Sequence, residues 1–385
     1  MSSIFLSPSK VMCGTGALEA SAGEFKGMGK RALIVTDPVM EKLGNVQKVE
    51  SVLSNAGVSY SVYAKVNAEP TDIVVESGVK QYKQEKCDFL VALGGGSPID
   101  TMKAIGMISA CGGVPADYLG KNVTEKLPGM AAIPTTAGTG SEATQFTIIT
   151  DTKTEVKMLL KGPSLIPLFA VVDPQFTMTA PPKVTAATGI DALCHAVESY
   201  TSKKAQPMSE TFSLSAADRI FKNLLKAYNE PNDIHAREQM SLAATEAGIA
   251  FNNSSVTIIH GMSRPIGALF HVPHGLSNAM LLDTCLKFIV DGAVGRFADI
   301  SRYCGLCAAE IPDSRAADIL IEKISELLTA LNIPTLEQFG IDKHVFDENI
   351  EKMAKDAFIS GSPSNTRKNV TMQDMERLYE KLWLK

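Results

Sequence analysis

Six histidines occur in this chain of 385 residues, and four of them fall in two short windows, GIDALCHAVE at 189–198 and HGMSRPIGALFHVPHG at 260–275. In the first, Asp191 and His195 stand four apart in a helical context, which places carboxylate and imidazole one above the other on a single face. That is chelate geometry. The second supplies His260, at the end of the apolar run Val256–Ile259, and His274, in a turn after Pro273. Brought together, the four make one oxygen and three nitrogen ligands, a set suited to Fe(II) or Zn with room left for a substrate oxygen. Singly, each histidine reads equally well as a core or surface residue; the joint pattern carries the expectation. Glu198, three past His195, reads either as an acceptor that orients an imidazole or as an exposed helix charge.

A second chemistry stands in the first half. The run Val91 to Asp100 leads from a buried strand into Gly94-Gly95-Gly96, Ser97 and Pro98, then into helical spacing. Glycines let a backbone approach a pyrophosphate without Cβ clashes, and Ser97 and the first free helix N–H groups are donors. Ile133 to Glu142 repeats the arrangement, an apolar strand followed by hydroxyls and glycines, and two such loops on one sheet suggest a dinucleotide. Asp37, closing an earlier strand, would accept from an adenosine ribose and repel a 2′-phosphate, which favours NAD over NADP. As the residue before Pro38 it reads equally well as a helix N-cap.

These groups need a scaffold. Up to about residue 175, β-branched runs (31–37, 60–63, 88–93, 130–134, 169–173) alternate with helical stretches (39–55, 71–85), the pattern of βαβ units on a parallel sheet. Beyond Pro181-Pro182, long helical stretches take over at 186–202, 209–228, 234–252, 313–331 and 372–384. The expected fold is an α/β N-terminal dinucleotide-binding domain over 1–180 and an all-α C-terminal domain over 181–385.

Composition removes other classes. Hydrophobic residues at 45% exclude a disordered chain, and a net charge of -5 without a basic run argues against nucleic-acid binding. No signal peptide or membrane span is expected, because no apolar stretch is long enough. Seven scattered cysteines suit a reducing cytoplasm, with Cys304 and Cys307 read as two thiols on one helix face.

At GGGSPID (94–100), PTTAGTGSE (134–142), ATGIDALCHAVE (187–198) and HGMSRPIGALFHVPHGLSNA (260–279) the chain resembles the iron-containing, metal-dependent (group III) alcohol dehydrogenases, over essentially its whole length. The resemblance implies that family's dehydroquinate synthase-like fold and an NAD-linked interconversion of small alcohols and aldehydes. It implies Asp191, His195, His260 and His274 as ligands of Fe(II), with Zn as the alternative. For NAD it implies Asp37 at the adenosine ribose and Gly94, Gly95, Gly96, Ser97 and Asp100 in the pyrophosphate loop. Thr135, Thr136 and Thr139 belong to the second loop and Lys157 to the nicotinamide ribose. A cytoplasmic homo-oligomer, dimer or larger, is expected.

Three positions depart from the family pattern. Arg264 stands four after His260, where many members carry a histidine suited to relaying the alcohol proton. Arginine does not give up its proton, so the relay falls to His271, water or a ribose hydroxyl. Arg264 is then free either to clamp an anionic aldehyde such as succinate semialdehyde or sulfoacetaldehyde or to pair with the NAD phosphates or a neighbouring acid. Glu69 replaces an Asn, and Phe146 replaces a substrate-facing Asn. A related phosphate-binding lyase would need several more basic side chains, and a non-enzymatic scaffold would have no reason to keep a complete ligand set.

Overall fold

The computed structural model describes residues 2–67 and 69–383 and divides the chain into two compact units, Leu6–Ala180 and Pro181–Lys385, the few residues before Leu6 going with the second. They do so because Phe5 stacks on Phe212, with ring centroids 5.8 Å apart, and Gln206 Nε2 donates to the Ile4 carbonyl.

The first unit runs β1 (Lys10–Cys13), α1 (Ala17–Ala20), α2 (Ala22–Met28), β2 (Arg31–Thr36), α3 (Pro38–Lys42), α4 (Asn45–Asn55), β3 (Ser59–Tyr63), α5 (Asp72–Gln84), β4 (Phe89–Gly94), α6 (Gly96–Cys111) and β5 (Gly129–Pro134). A hairpin of β6 (Phe146–Asp151) and β7 (Val156–Lys161) follows, then β8 (Phe169–Val172). Six strands form a parallel sheet in the order β1-β8-β5-β4-β2-β3. Alternation along the strands sorts side chains to two buried faces. Leu33, Val35, Leu90 and Ala92 pack with Ile99, Met102 and Ile105 of α6. Ala32, Ile34, Val91 and Leu93 pack with Val46, Val49 and Leu53 of α4. Neighbouring strands β2 and β4 therefore send their helices to opposite faces. Their carboxyl ends flank a topological switch point, the place where open α/β sheets bind ligands.

Five of these strands match the apolar runs in the sequence. The other elements correct the reading. The helix expected over 39–55 is two, because Gly44 adopts φ 73° and breaks it. Strand β1, an edge strand with mostly exposed side chains, and the β6–β7 hairpin lie outside the expected elements.

The second unit comprises α7 (Pro182–Thr201), α8 (Pro207–Asn229), α9 (Ile234–Asn252), α10 (Ile258–Phe270), α11 (His274–Ile289), α12 (Val294–Tyr303), α13 (Asp313–Ala330), α14 (Leu336–Phe339), α15 (Lys343–Ile359) and α16 (Met372–Lys381). Pro182 opens α7 at the first helical position, where its missing N–H costs nothing. Helix α7 is central, packing on α8, α9 and α11, and is buried on all sides from Gly189 to Thr201. Five helices of this unit, α10, α11, α12, α14 and α15, appear where no helix was expected. His274 is not in a turn but opens α11, and His260 sits in the first turn of α10. Cys304 and Cys307 do not share a helix face, since α12 ends at Tyr303 and both lie in the turn beyond it. No helix among the described residues is long and apolar enough to cross a membrane.

Gly162, where β7 ends, holds φ 158°, and a Cβ there would lie 2.2 Å from the Val123 carbonyl oxygen. Gly162→Ala is expected to destabilise the protein by about 3 kcal/mol, from strain and backbone displacement together. Urea unfolding followed by circular dichroism reads this, and a change within about 0.5 kcal/mol would contradict it.

Candidate functional site

Helix α7 carries Asp191, His195 and Glu198 at i, i+4 and i+7, one stripe on the part of the helix that is buried on all sides. Helix α10 brings His260 to that stripe, and the first residue of α11 brings His274. The close approach of α11 requires Gly275, where a Cβ would meet the Ala187 carbonyl oxygen at 2.7 Å and Asp191 Cβ at 3.2 Å. One ligand atom from each of Asp191, His195, His260 and His274 can be chosen so that all lie within 4.8 Å of one another. His260 Nε2 and His274 Nε2 stand 3.6 and 3.7 Å from the same Asp191 Oδ1. The His195 ring lies between Phe251, at 4.3 Å, and His260, at 4.4 Å, stacked on both. Asp191 is 1% exposed, His195 4% and His260 3%, whereas the His274 side chain is 42% exposed, so the group has one open side.

Asn278, one turn beyond His274 on α11, joins this group. Its Nδ2 donates to Asp191 Oδ1 at 2.6 Å and lies 3.1 and 3.3 Å from the Nε2 atoms of His260 and His274. Sequence reasoning passed over it, although its spacing of four from His274 was a usable signal. Glu198 is not the exposed helix charge of one reading. It is wholly buried and contacts His260 Nδ1 through Oε2.

Electrostatics sort the four. Burial works against the charge of Asp191, yet the surrounding imidazoles hold its carboxyl well below the usual range. Burial lowers His195 to about 3. Burial also acts against charge on His260, but the carboxylates of Glu198 and Asp191 overcome it and lift the imidazole to about 9. Two buried polar atoms beside the cluster, His195 Nδ1 and Asn278 Oδ1, have no hydrogen-bond partner. Three imidazoles and a carboxylate turned to one point, with an orphaned ring nitrogen among them, fit a divalent metal ion.

The two remaining candidates of the second unit stand apart from the four. Arg264, one turn after His260, donates from Nη1 to Ser362 Oγ at 3.2 Å and makes no ion pair among the described residues. Burial lowers its pKa, with the Glu198 charge acting the other way. His271 is exposed, ends α10 at φ 54°, and makes none of the bonds or ring contacts that link the four.

In the first unit the two glycine loops touch. Thr135 N donates to the Gly94 carbonyl at 3.0 Å. A Cβ on Gly95 would come 3.2 Å from Thr136 Oγ1, and one on Gly96 3.2 Å from Thr139 Cγ2, so the loops meet closely at both glycines. Gly95 caps α6, leaving the N–H groups of Gly96 and Ser97 at a helix N-terminus suited to an anion. This cradle fits a dinucleotide pyrophosphate. Asp37 is the N-cap of α3, its Oδ1 accepting from Val39 N and Met40 N. Asp100 Oδ2 accepts from Ile148 N of β6, and burial lifts its pKa to about 6 against the pull of Lys103. Lys157 pairs with Glu69 at 2.6 Å, so the acid that replaces the family's Asn is neutralised by a neighbour.

Lys103 escaped sequence reasoning. Wholly buried, it donates to Thr144 O, Thr144 Oγ1 and Phe146 O at 2.9, 3.1 and 2.8 Å, tying α6 to the segment after the second loop.

Two family models match the chain, one described as iron-containing alcohol dehydrogenase over residues 8–174, the other as Fe-containing alcohol dehydrogenase family, C-terminal, over residues 185–383. The NAD-dependent methanol dehydrogenase of Bacillus methanolicus is 36% identical over 381 residues, 98% of this chain and 99% of that protein. A solved structure of 1,3-propanediol oxidoreductase matches with TM-score 0.95 at 32% identity, covering 100% of both chains. Sulfoacetaldehyde reductase from Bifidobacterium kashiwanohense, solved in complex with NAD+, matches with TM-score 0.89 at 28% identity, covering 99% of both.

The carboxylates of Glu198 and Asp191 favour a second proton on the His260 ring, and that proton must leave before Nε2 can act as a ligand. Zn(II) binding is therefore expected to release a proton at neutral pH, and its affinity to rise with pH between about pH 6 and pH 8. Calorimetry in two buffers of different ionisation enthalpy measures this; pH-independent affinity over that range would contradict it.

Proposed function

We propose a hydride-transfer site for this chain, which belongs to the iron-containing alcohol dehydrogenase family and is an oxidoreductase acting on CH–OH. Asp191, His195, His260 and His274 hold Fe(II), with Zn as the alternative ion. The loops at 94–97 and 135–139 hold the NAD(H) phosphates, and Asp37 and Lys157 the two riboses. The observation that carries the reading is the buried carboxylate-and-three-imidazole cluster with its one open side at His274. When bound, the ion supplies Lewis acidity toward a substrate oxygen and the nicotinamide supplies or accepts hydride. The chain's own groups do the positioning. Asn278 fixes Asp191 by a hydrogen bond, and the Phe251 ring covers one face of His195 and keeps water from it. Asp37, with Oδ1 spent on capping, would keep Oδ2 as an acceptor for the adenosine ribose, and its charge disfavours a 2′-phosphate. Seven unpaired cysteines suit a cytoplasmic setting, and a homo-oligomer, dimer or larger, belongs to the same reading.

A second reading concerns the substrate. The Arg264 guanidinium, one turn from His260, has among the described residues one hydroxyl as its hydrogen-bond partner, which leaves donor capacity for a carboxylate or sulfonate. The likeness to sulfoacetaldehyde reductase supports an anionic aldehyde as an alternative to a neutral one.

Protein loaded anaerobically with Fe(II) is expected to oxidise NADH, and NADPH far more slowly, with a short aldehyde. A neutral panel of propanal and lactaldehyde against succinate semialdehyde and sulfoacetaldehyde separates the two readings. If Arg264 clamps the anion, Arg264→Ala should raise KM for the acids about 20-fold, near 2 kcal/mol, and leave the neutral set unchanged. Equal losses for both sets would remove the anionic reading, and no turnover of either set with metal and NADH bound would contradict hydride transfer itself.

A further inference from the structure

Glu198 serves two elements with one carboxylate. It lies on α7, wholly buried, seven residues past Asp191 and three past His195. Its Oε1 accepts from Thr257 N at 3.1 Å, Thr257 Oγ1 at 2.7 Å and Ile259 N at 2.8 Å. Those are the donors at the start of α10, whose own N-cap residue makes no side-chain cap. Its Oε2 faces His260 Nδ1. The His260 ring thus has one nitrogen against a carboxylate that can only accept and the other, Nε2, 3.6 Å from Asp191 Oδ1. An imidazole donating from Nδ1 keeps its remaining lone pair on Nε2.

We propose that Glu198 is the positioning residue that sets the tautomer of the neutral His260 ring, holding the proton on Nδ1 so that the proton given up on metal binding is the one on Nε2, whose lone pair then faces the cluster of Asp191, His195 and His274. The inference rests on the reading of that cluster as a metal centre and adds to it the residue that makes His260 competent. The same carboxylate starts α10, so the helix that delivers the imidazole and the orientation of its ring are fixed by one group. A metal ligand whose second nitrogen donates to a carboxylate gains basicity and a fixed ring plane, an effect commonly measured as 10–100-fold in affinity.

Glu198→Gln separates tautomer from packing. The amide oxygen of the glutamine still accepts from Thr257 and Ile259, so α10 keeps its start. The amide NH₂ now faces Nδ1, which must accept, and the proton moves to Nε2, where it blocks coordination. The experiment measures Zn(II) affinity by chelator competition for wild type, Glu198→Gln and His260→Ala, with thermal unfolding of each metal-free protein. Wild type is expected to bind one Zn(II), and Glu198→Gln to bind it about 10–100-fold more weakly while its metal-free form, although less stable for want of the buried carboxylate, still unfolds in one cooperative transition. Equal affinity for wild type and Glu198→Gln overturns the role of Glu198. Absence of Zn(II) binding by wild type overturns instead the metal centre on which it rests. Should the variant fold poorly, ¹⁵N-histidine NMR of Zn(II)-loaded wild type decides alone: a His260 proton on Nδ1 is expected, and one on Nε2 overturns the proposal.

Discussion

A carboxylate 1% exposed cannot remain charged inside a helical bundle without partners, because stripping its water costs several kcal/mol. Asp191 is in that position, and the second unit is arranged around satisfying it. Asn278 donates to it, and two imidazoles stand against its Oδ1. None of those partners is on α7. Helices α10 and α11 must therefore come close to it, which is why glycine stands at 275, where a Cβ would meet the Ala187 carbonyl oxygen of α7 at 2.7 Å. His274, the first residue of α11, is the one member left partly in solvent. The electrostatic requirement of a buried anion and the chemical requirement of an accessible centre are met by the same convergence.

The nucleotide unit solves a similar problem with the opposite sign. Lys103 is a fully buried ammonium lowered to about 8, chiefly by burial, with Asp100 and Glu142 acting in its favour. Its three hydrogen bonds reach Thr144 and Phe146, so the helix that begins at the first glycine loop is locked to the chain that leaves the second. Two glycine loops from two strands are thus made into one body by a side chain that belongs to neither loop.

Much of this was legible in the sequence, for identifiable reasons. Strands β2, β4, β5 and β8 are buried on both faces and read as unbroken apolar runs, while α7 and α9 carry long regular helical spacing. The glycine loops and the ligand windows were visible as residue types at fixed intervals. What escaped did so because local pattern did not carry it. Helix α10 holds Gly261, Pro265 and Gly267 within thirteen residues, a composition that reads as loop, and it forms because its first turn is anchored by Glu198, a carboxylate sixty residues earlier in the chain. The β6–β7 hairpin has short strands with mixed exposure and is held to α6 through Lys103 and Asp100. Asp37 shows a limit of another kind. Ribose acceptor and helix cap require the same residue at the same place, and one oxygen can cap while the other stays available.

The central claim is that one divalent ion, held by Asp191, His195, His260 and His274, carries the reaction. Its most direct test is to titrate metal-free protein anaerobically with Fe(II) while following aldehyde-dependent NADH oxidation and NADH binding separately. The account predicts activity rising linearly to a break at one Fe(II) per chain, with NADH bound throughout, and no such rise in His260→Ala. Full activity without metal, or an unchanged titration in His260→Ala, would contradict it.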